Sequence, residues 1–328
     1  MAIPFRKFVS HDIRTGPVLK WLLPWNWMRP TTQVEALAAR YEQDLIQRTL
    51  PQLPSHPRFI FCATDLVFGV NWVFEREQIG DYQAGYMRPA PSWPVAQAVA
   101  ASSCFPPVFN PWIPPVRPEQ LVNGKYPPGE QRDRLISAMK LSDGGVYDNM
   151  GLEPVWKDHA VVLVSDGGAP FGFEASETPL RVLTRYLSIV DNQSASLRKR
   201  WLISNFQKQE MSGTYWGIRS DTKGYSEEQP PPGYSDPLVK TVISTIRTDL
   251  DSFTEPEIAV LENHGYLLAN AATSVHMGNL IRPDAPPVQV PHPDWMDEEK
   301  VRTALKESYK RFKFNILRTR LWPFFTDQ

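Results

Sequence analysis

The chain has 328 residues, 42 % of them hydrophobic, enough for one large domain or two modest ones with a substantial core. Its formal net charge of −1 excludes a bulk electrostatic pull toward nucleic acid or anionic lipid. Two cysteines, Cys62 and Cys104, are too few for a disulfide framework and are expected as buried small hydrophobes. The sequence shows no zinc-ligand spacing, no signal-peptide core and no run of membrane-spanning length, so no metal or cofactor is expected and the cytoplasm is the expected location.

Residues 1–30 read as irregular and gather Trp21, Leu22, Leu23, Trp25 and Trp27, which are expected to pack on the body of the protein, the alternative being an interfacial aromatic patch. Thr32 and Glu35 read as the capping box of a helix that buries Val34, Leu37, Tyr41 and Leu45 and stops at Pro51 and Pro54. The apolar run Phe59–Cys62 predicts a strand over 58–64 buried on both faces, and a turn at Gly69 leads to a second strand over 71–75. Pro94 is expected at the first position of a helix whose small residues Ala100, Ala101, Ser102 and Ser103 allow close packing, with Pro106 and Pro107 ending it. Residues 110–134 read as a loop, and Leu135, Ile136, Ala138, Met139 and Leu141 as a strand. A further buried strand is expected over 160–164. A long helix starts at Pro179 with Leu180, Leu183, Leu187, Val190, Leu197 and Trp201 on one side. Residues 220–237 lack apolar periodicity and read as a mobile loop. Thr254 and Glu257 form another capping box, for a helix with the stripe Ile258, Leu261, Gly265, Leu268, Ala272 and Val275. After a Pro-rich connector over 282–296, a last helix is expected from about 297 to 317, carrying Val301, Leu305, Ser308 and Phe312 on one face. The basic residues Lys306, Lys310, Arg311, Lys313, Arg318 and Arg320 run from it toward Trp322, Phe324 and Phe325, and read as solvated helix charge with a packed aromatic tail. Strands with helical crossovers come first and helices second, which predicts an α/β sheet domain with a helical extension.

The chemistry concentrates in residues 141–156, LSDGGVYDNMGLEPVW. Asp143 stands where a strand runs into the paired glycines Gly144 and Gly145, which permit a sharp turn and close backbone approach. Ligands of open α/β sheets collect at such strand ends. Asp148 and Asn149 are expected to hold the loop through side-chain-to-backbone bonds. A second turn of the same composition, Asp166-Gly167-Gly168, competes for the role and reads as structural. The carboxylates Asp143, Asp148, Glu153 and Asp158 recur every five residues, which is not the ligand spacing of a calcium loop. His159 beside a strand and His264 on a helix are accounted for by hydrogen bonding and packing.

Four ordered segments share a pattern: Cys62-Ala63-Thr64-Asp65-Leu66, VAQAVAASSCFPPVF over 95–109, the turn at Asp143, and VVLVSDGGAP over 161–170. Together they resemble the patatin-like phospholipase family, with its "ATD" strand, "AASSAxPxxFPP" helix-turn and "DGG/DGA" catalytic turn. The resemblance is close from about Phe59 to Pro170. It implies a patatin-like three-layer α/β sheet domain over 1–175, incomplete at its N-terminal side, with a helical extension over 176–328. It implies hydrolysis of carboxylic esters in phospholipid or other acyl lipids by a Ser–Asp dyad. Asp143, in the motif Asp143-Gly144-Gly145, is then the proton acceptor. The implied partners are an acyl lipid and a membrane surface touched peripherally, with no nucleic acid. The sequence departs from the family in having no GxSxG elbow and no glycine-rich oxyanion loop, so it reads as the C-terminal part of such a protein. Ser102, Ser103, Ser142 and Ser165 are not expected to replace the missing serine. The alternative is a catalytically inactive lipid-binding or scaffolding relative.

Overall fold

The structure, a computed structural model, describes residues 2–23, 26, 32–106, 108–172, 179–226 and 231–310. The last described helix ends at Leu305, short of the extent expected, and Trp25, Trp27, Pro107 and the residues beyond Lys310, with Arg311, Phe312, Lys313, Arg318, Arg320, Trp322, Phe324 and Phe325, lie outside the described residues, as do the side chains of Leu22, Leu180, Leu183 and Leu187. The chain divides into two compact units. One comprises residues up to 154 with 250–252, the other 155–249 and the described residues from 253.

The first unit opens with three helices, α1 (Ala2–Val9), α2 (Thr15–Leu22) and α3 (Thr32–Asp44), the first two within the stretch expected to be irregular. Thr32 is the first helical residue of α3 and not its cap. Val34 and Leu37 are fully buried and Tyr41 nearly so, as the helical spacing predicts, whereas Leu45 is exposed. Strands β1 (Ile60–Asp65), β2 (Val70–Glu75), β3 (Ile79–Asp81) and β4 (Gly85–Met87) follow. Then come α4 (Val95–Ser102), α5 (Glu130–Ser137), β5 (Leu141–Asp143) and the short α6 (Gly145–Asp148).

The sheet order is β4-β3-β2-β1-β5, and every neighbouring pair is antiparallel. The protein is mixed α/β, but the helical crossovers expected between its first strands are absent. The links Leu66–Gly69 and Arg76–Gln78 are too short for the crossover that parallel neighbours need. The strand β1 is fully buried only over Ala63–Asp65, and Cys62 is half-buried. The apolar run at 135–141 is not one strand. Acidic Glu130 and Asp133 open α5, Arg134 lies in its last turn, and β5 starts only at Leu141. Pro94 caps α4 instead of occupying its first turn.

The core of this unit gathers Trp72, Phe74, Trp93 and Trp112, with ring centroids 5.4–6.3 Å apart. Helix α4 lies against β1 and β5, and α3 lies on α4. The side chains of Ala96, Ala98, Ala100 and Ala101 are small enough to allow that approach, and all four are buried.

The second unit holds a parallel pair, β6 (Val161–Asp166) and β7 (Ser212–Gly217), joined through α7 (Pro179–Gln207). Only one face of β6 is covered. Val162 and Val164 are buried, whereas Val161 and Leu163 are exposed, so this strand is not buried on both sides. Helices α8 (Asp236–Thr241), α9 (Glu255–His276) and α10 (Glu298–Leu305) complete the unit around Leu238, Val239, Ile243, Ile246, Val260 and Val301.

The α9 capping box forms as its sequence predicts. The Glu257 carboxylate accepts the Thr254 N–H at 2.7 Å, and the Thr254 hydroxyl accepts the Glu257 N–H at 3.4 Å. Its buried face is shifted from the expected stripe. Leu268 and Ala272 are buried as expected, but so are Val260, Asn263, Leu267 and Ala271 beside them, while Gly265 and Val275 are exposed. Asn263 lies on this buried face. Its amide donates to the His292 carbonyl and accepts the His292 N–H, both at 2.8 Å, and so ties α9 to the Pro-rich connector. No described helix is long and apolar enough to cross a membrane.

Candidate active site

Asp143 is the last residue of β5, opposite Ala63 of β1. Its Oδ1 accepts the Gly145 N–H at 2.7 Å, which closes the turn and fixes the carboxylate over its own backbone. The side chain is partly exposed. Gly144 is required by space. A Cβ there would stand 2.5 Å from the Cys62 carbonyl oxygen. A Cβ on Gly145 would stand 2.8 Å from the Asn149 Oδ1 and 3.0 Å from the Asp143 Oδ1. Gly144 is therefore forced by backbone, whereas at Gly145 only side-chain ends would have to move, and neither glycine has a positive φ.

Three segments distant in sequence meet here. The Thr64 hydroxyl donates to the Asp143 carbonyl at 2.7 Å and accepts the Tyr147 N–H at 3.1 Å, bridging the end of β5 and the start of α6. The Gly144 N–H donates to the Ser102 carbonyl at 3.2 Å, and the Asp143 N–H to the Cys104 carbonyl at 3.4 Å. The end of α4 and the end of β1 thus clamp the turn from two sides. Below it, the buried Asp148 accepts the Met150 N–H at 3.3 Å and the Glu153 N–H at 2.7 Å, and so shapes the descending loop.

Tyr41 and Cys104 both sense the Asp143 charge. Burial, and then that charge, hold the Tyr41 hydroxyl above its ordinary value. Burial above all, with Asp143 adding to it, pushes the Cys104 thiol up to about 12, and burial pushes Cys62 up to about 11. Neither cysteine is a thiolate near neutral pH, which argues against a cysteine nucleophile.

The serines nearby spend their protons on the backbone. Ser142 is buried and donates to the Cys104 carbonyl at 3.3 Å. Ser103 donates to the Val99 carbonyl at 2.8 Å and lies 3.4 Å from the Tyr41 hydroxyl.

Asp65, in the same motif as Thr64, is turned elsewhere. Its Oδ1 accepts the Val67 and Phe68 N–H groups at 2.7 and 3.2 Å. Asp81 is its near twin, accepting the Gln83 and Ala84 N–H groups at 2.8 and 2.7 Å. Both are fully buried, the Oδ2 of each has no hydrogen-bond partner among the described residues, and each feels the other's charge, so two carboxylates ionised side by side are disfavoured. Burial, and then the Asp65 charge, push the Asp81 carboxyl up to about 7.

The second turn belongs to the other unit. Asp166 accepts the Gly168 N–H at 2.9 Å, much as Asp143 accepts that of Gly145, but its Oδ2 takes the Tyr215 hydroxyl at 2.6 Å. No atom lies within 4 Å of a Cβ built on Gly167, so this turn is not clamped as the first is. Ser165 lies on the exposed face of β6. His159 bonds the Val155 carbonyl at 3.0 Å and His264 the Ile218 carbonyl at 2.9 Å, so each ring has a structural partner.

Thr64 and Cys104 are visible in the sequence only as parts of the resembling segments, and Tyr41 only as a core position. Their link to Asp143 is made by the fold and leaves no local spacing to read. No protein-family model matches the chain, and no curated protein matches it.

Proposed function

We propose that the Asp143 turn is the proton-accepting half of a patatin-like acyl hydrolase site, acting on phospholipid or another acyl lipid through a Ser–Asp dyad. The supporting observation is the convergence of three of the four resembling segments, the one over 161–170 lying in the other unit. The Thr64 hydroxyl and the Ser102 and Cys104 carbonyls all bond the two residues Asp143 and Gly144. A serine hydroxyl is a weak nucleophile until a fixed base takes its proton. A carboxylate held by its own turn at the partly exposed end of a strand can do this without large reorganisation. The serine is the one that a GxSxG elbow would bring, and these 328 residues contain none. Donors for the oxyanion of the tetrahedral intermediate are required as well.

The test is hydrolysis of an acyl ester by the full-length gene product. Asp143→Asn is expected to lower kcat by about 10²–10⁴-fold, the usual contribution of a general base, while Asp166→Asn leaves it within about twofold. Equal activity in wild type and Asp143→Asn would overturn the proposal. A second reading, a lipid-binding or scaffolding relative without catalysis, is favoured by the missing elbow. It predicts no turnover and lipid binding that survives Asp143→Asn.

A further inference from the structure

The outer face of α7 is apolar and basic at once. Leu202, on its inner side, is fully buried. Tyr186, Val190, Leu197 and Trp201 follow one another at four, seven and four residues, which aligns them in one row along a helix. They are 64, 67, 60 and 38 % exposed, and Ile189 beside them 40 %. The sequence places Val190, Leu197 and Trp201 on one side of this helix, and that side is exposed. Gln193 and Ser194 divide it into two apolar patches.

Charge says what this face suits. In a chain of net charge −1, α7 carries Arg181, Arg185, Arg198, Lys199 and Arg200 against the single acid Asp191. At 3.6 residues per turn, Arg198 and Arg200 fall on opposite flanks of the apolar row. At its C-terminal end Trp201 meets Trp156 edge to face, centroids 5.0 Å apart, and the Lys157 ammonium lies 5.1 Å from the Trp156 ring centre. Paired tryptophans, aliphatic residues and flanking cations are the chemistry of a helix lying in a membrane–water interface.

We propose that the outer face of α7 docks on an anionic lipid surface, with Tyr186, Val190, Leu197 and Trp201 entering the headgroup region and the flanking arginines meeting lipid phosphates. A second copy of the chain is a poorer occupant, because two such faces would set like cations against each other. The docking stands apart from the Asp143 chemistry, which lies in the other unit.

The test is co-sedimentation of the full chain with phosphatidylglycerol and with phosphatidylcholine vesicles, alongside Val190→Glu/Leu197→Glu, Arg198→Gln/Arg200→Gln and Asp143→Asn. Wild type is expected to bind phosphatidylglycerol more strongly, and less so at high salt. The double glutamate variant is expected to bind at least about tenfold more weakly. The double glutamine variant should lose the preference between lipids, and Asp143→Asn should bind like wild type. Brominated phosphatidylglycerol should quench tryptophan emission, and Trp201→Phe should remove part of that quenching, a readout that needs no disruptive variant. Absence of vesicle binding, binding unchanged by the double glutamate, or quenching unchanged by Trp201→Phe would overturn the proposal. So would a wild-type dimer in sedimentation velocity that the double glutamate abolishes, since it assigns the face to a second copy.

Discussion

Gly144 and Gly151 belong to the same loop but resist substitution for different reasons. Gly144 has an ordinary helical φ of −62°, yet a Cβ there meets backbone. Gly151 has φ +63° with open space around it. Gly144→Ala is expected to cost about 1–3 kcal/mol through overpacking, and Gly151→Ala about 1–2 kcal/mol through left-handed strain. Urea unfolding measures both, and only Gly144→Ala should also impair any chemistry at Asp143. The Asp65–Asp81 pair makes a second prediction. The folded-state value of Asp81 is raised to about 7 from 3.8, so the folded protein keeps a proton that the unfolded chain releases between those values. Stability therefore falls as pH rises through that window and levels off above about 7. Asp81→Asn removes one of two neighbouring buried carboxylates and retains an oxygen for the Gln83 and Ala84 N–H groups. It should flatten this slope and be the more stable protein at about pH 8 in urea titrations. Asp143 and Asp148 were legible because a turn is a local object. The Thr64–Asp143 bond spans 79 positions, and only the folded sheet brings those residues together.

At the scale of elements, α9 separates two kinds of stabilisation at one terminus. Its cap is local, whereas Glu257 also meets Arg247 at 2.6 Å with both side chains buried. Thr254→Ala is expected to cost about 1 kcal/mol. Glu257→Ala is expected to cost about 3–5 kcal/mol, because it leaves the Arg247 cation buried. Chemical denaturation of the two variants should show that order, and equal losses would mean the ion pair adds nothing beyond the cap. The capping box was legible because Thr254 and Glu257 are three residues apart. The strands β3 and β4 were not, since each has three residues and contains a glycine, with φ +140° at Gly80 and +110° at Gly85. The apolar residues that open into α5 are too few to distinguish a period of 3.6 from one of 2. The row on α7 was legible as a row, but periodicity marks the apolar side of a helix without saying what covers it.

For the whole molecule, apolar patterning found a sheet and later helices but not the way the strands pair. A short apolar run reads alike in parallel and antiparallel sheets. Connection length carries the distinction, and the links at Leu66–Gly69 and Arg76–Gln78 decide it. The parallel pair β6 and β7 was half hidden, because Ser212-Gly213-Thr214 opens β7 without an apolar run. Three of the four motif segments nonetheless converge on one turn, and the central claim is that this turn serves an acyl-transfer serine. Intact-mass analysis of the full-length gene product after exposure to a fluorophosphonate tests it most directly, with Asp143→Asn beside it. The account predicts one adduct on a serine of the wild type, formed about 10²–10⁴-fold more slowly in the variant. No adduct on the folded protein, or labelling at equal rates in both, would contradict it.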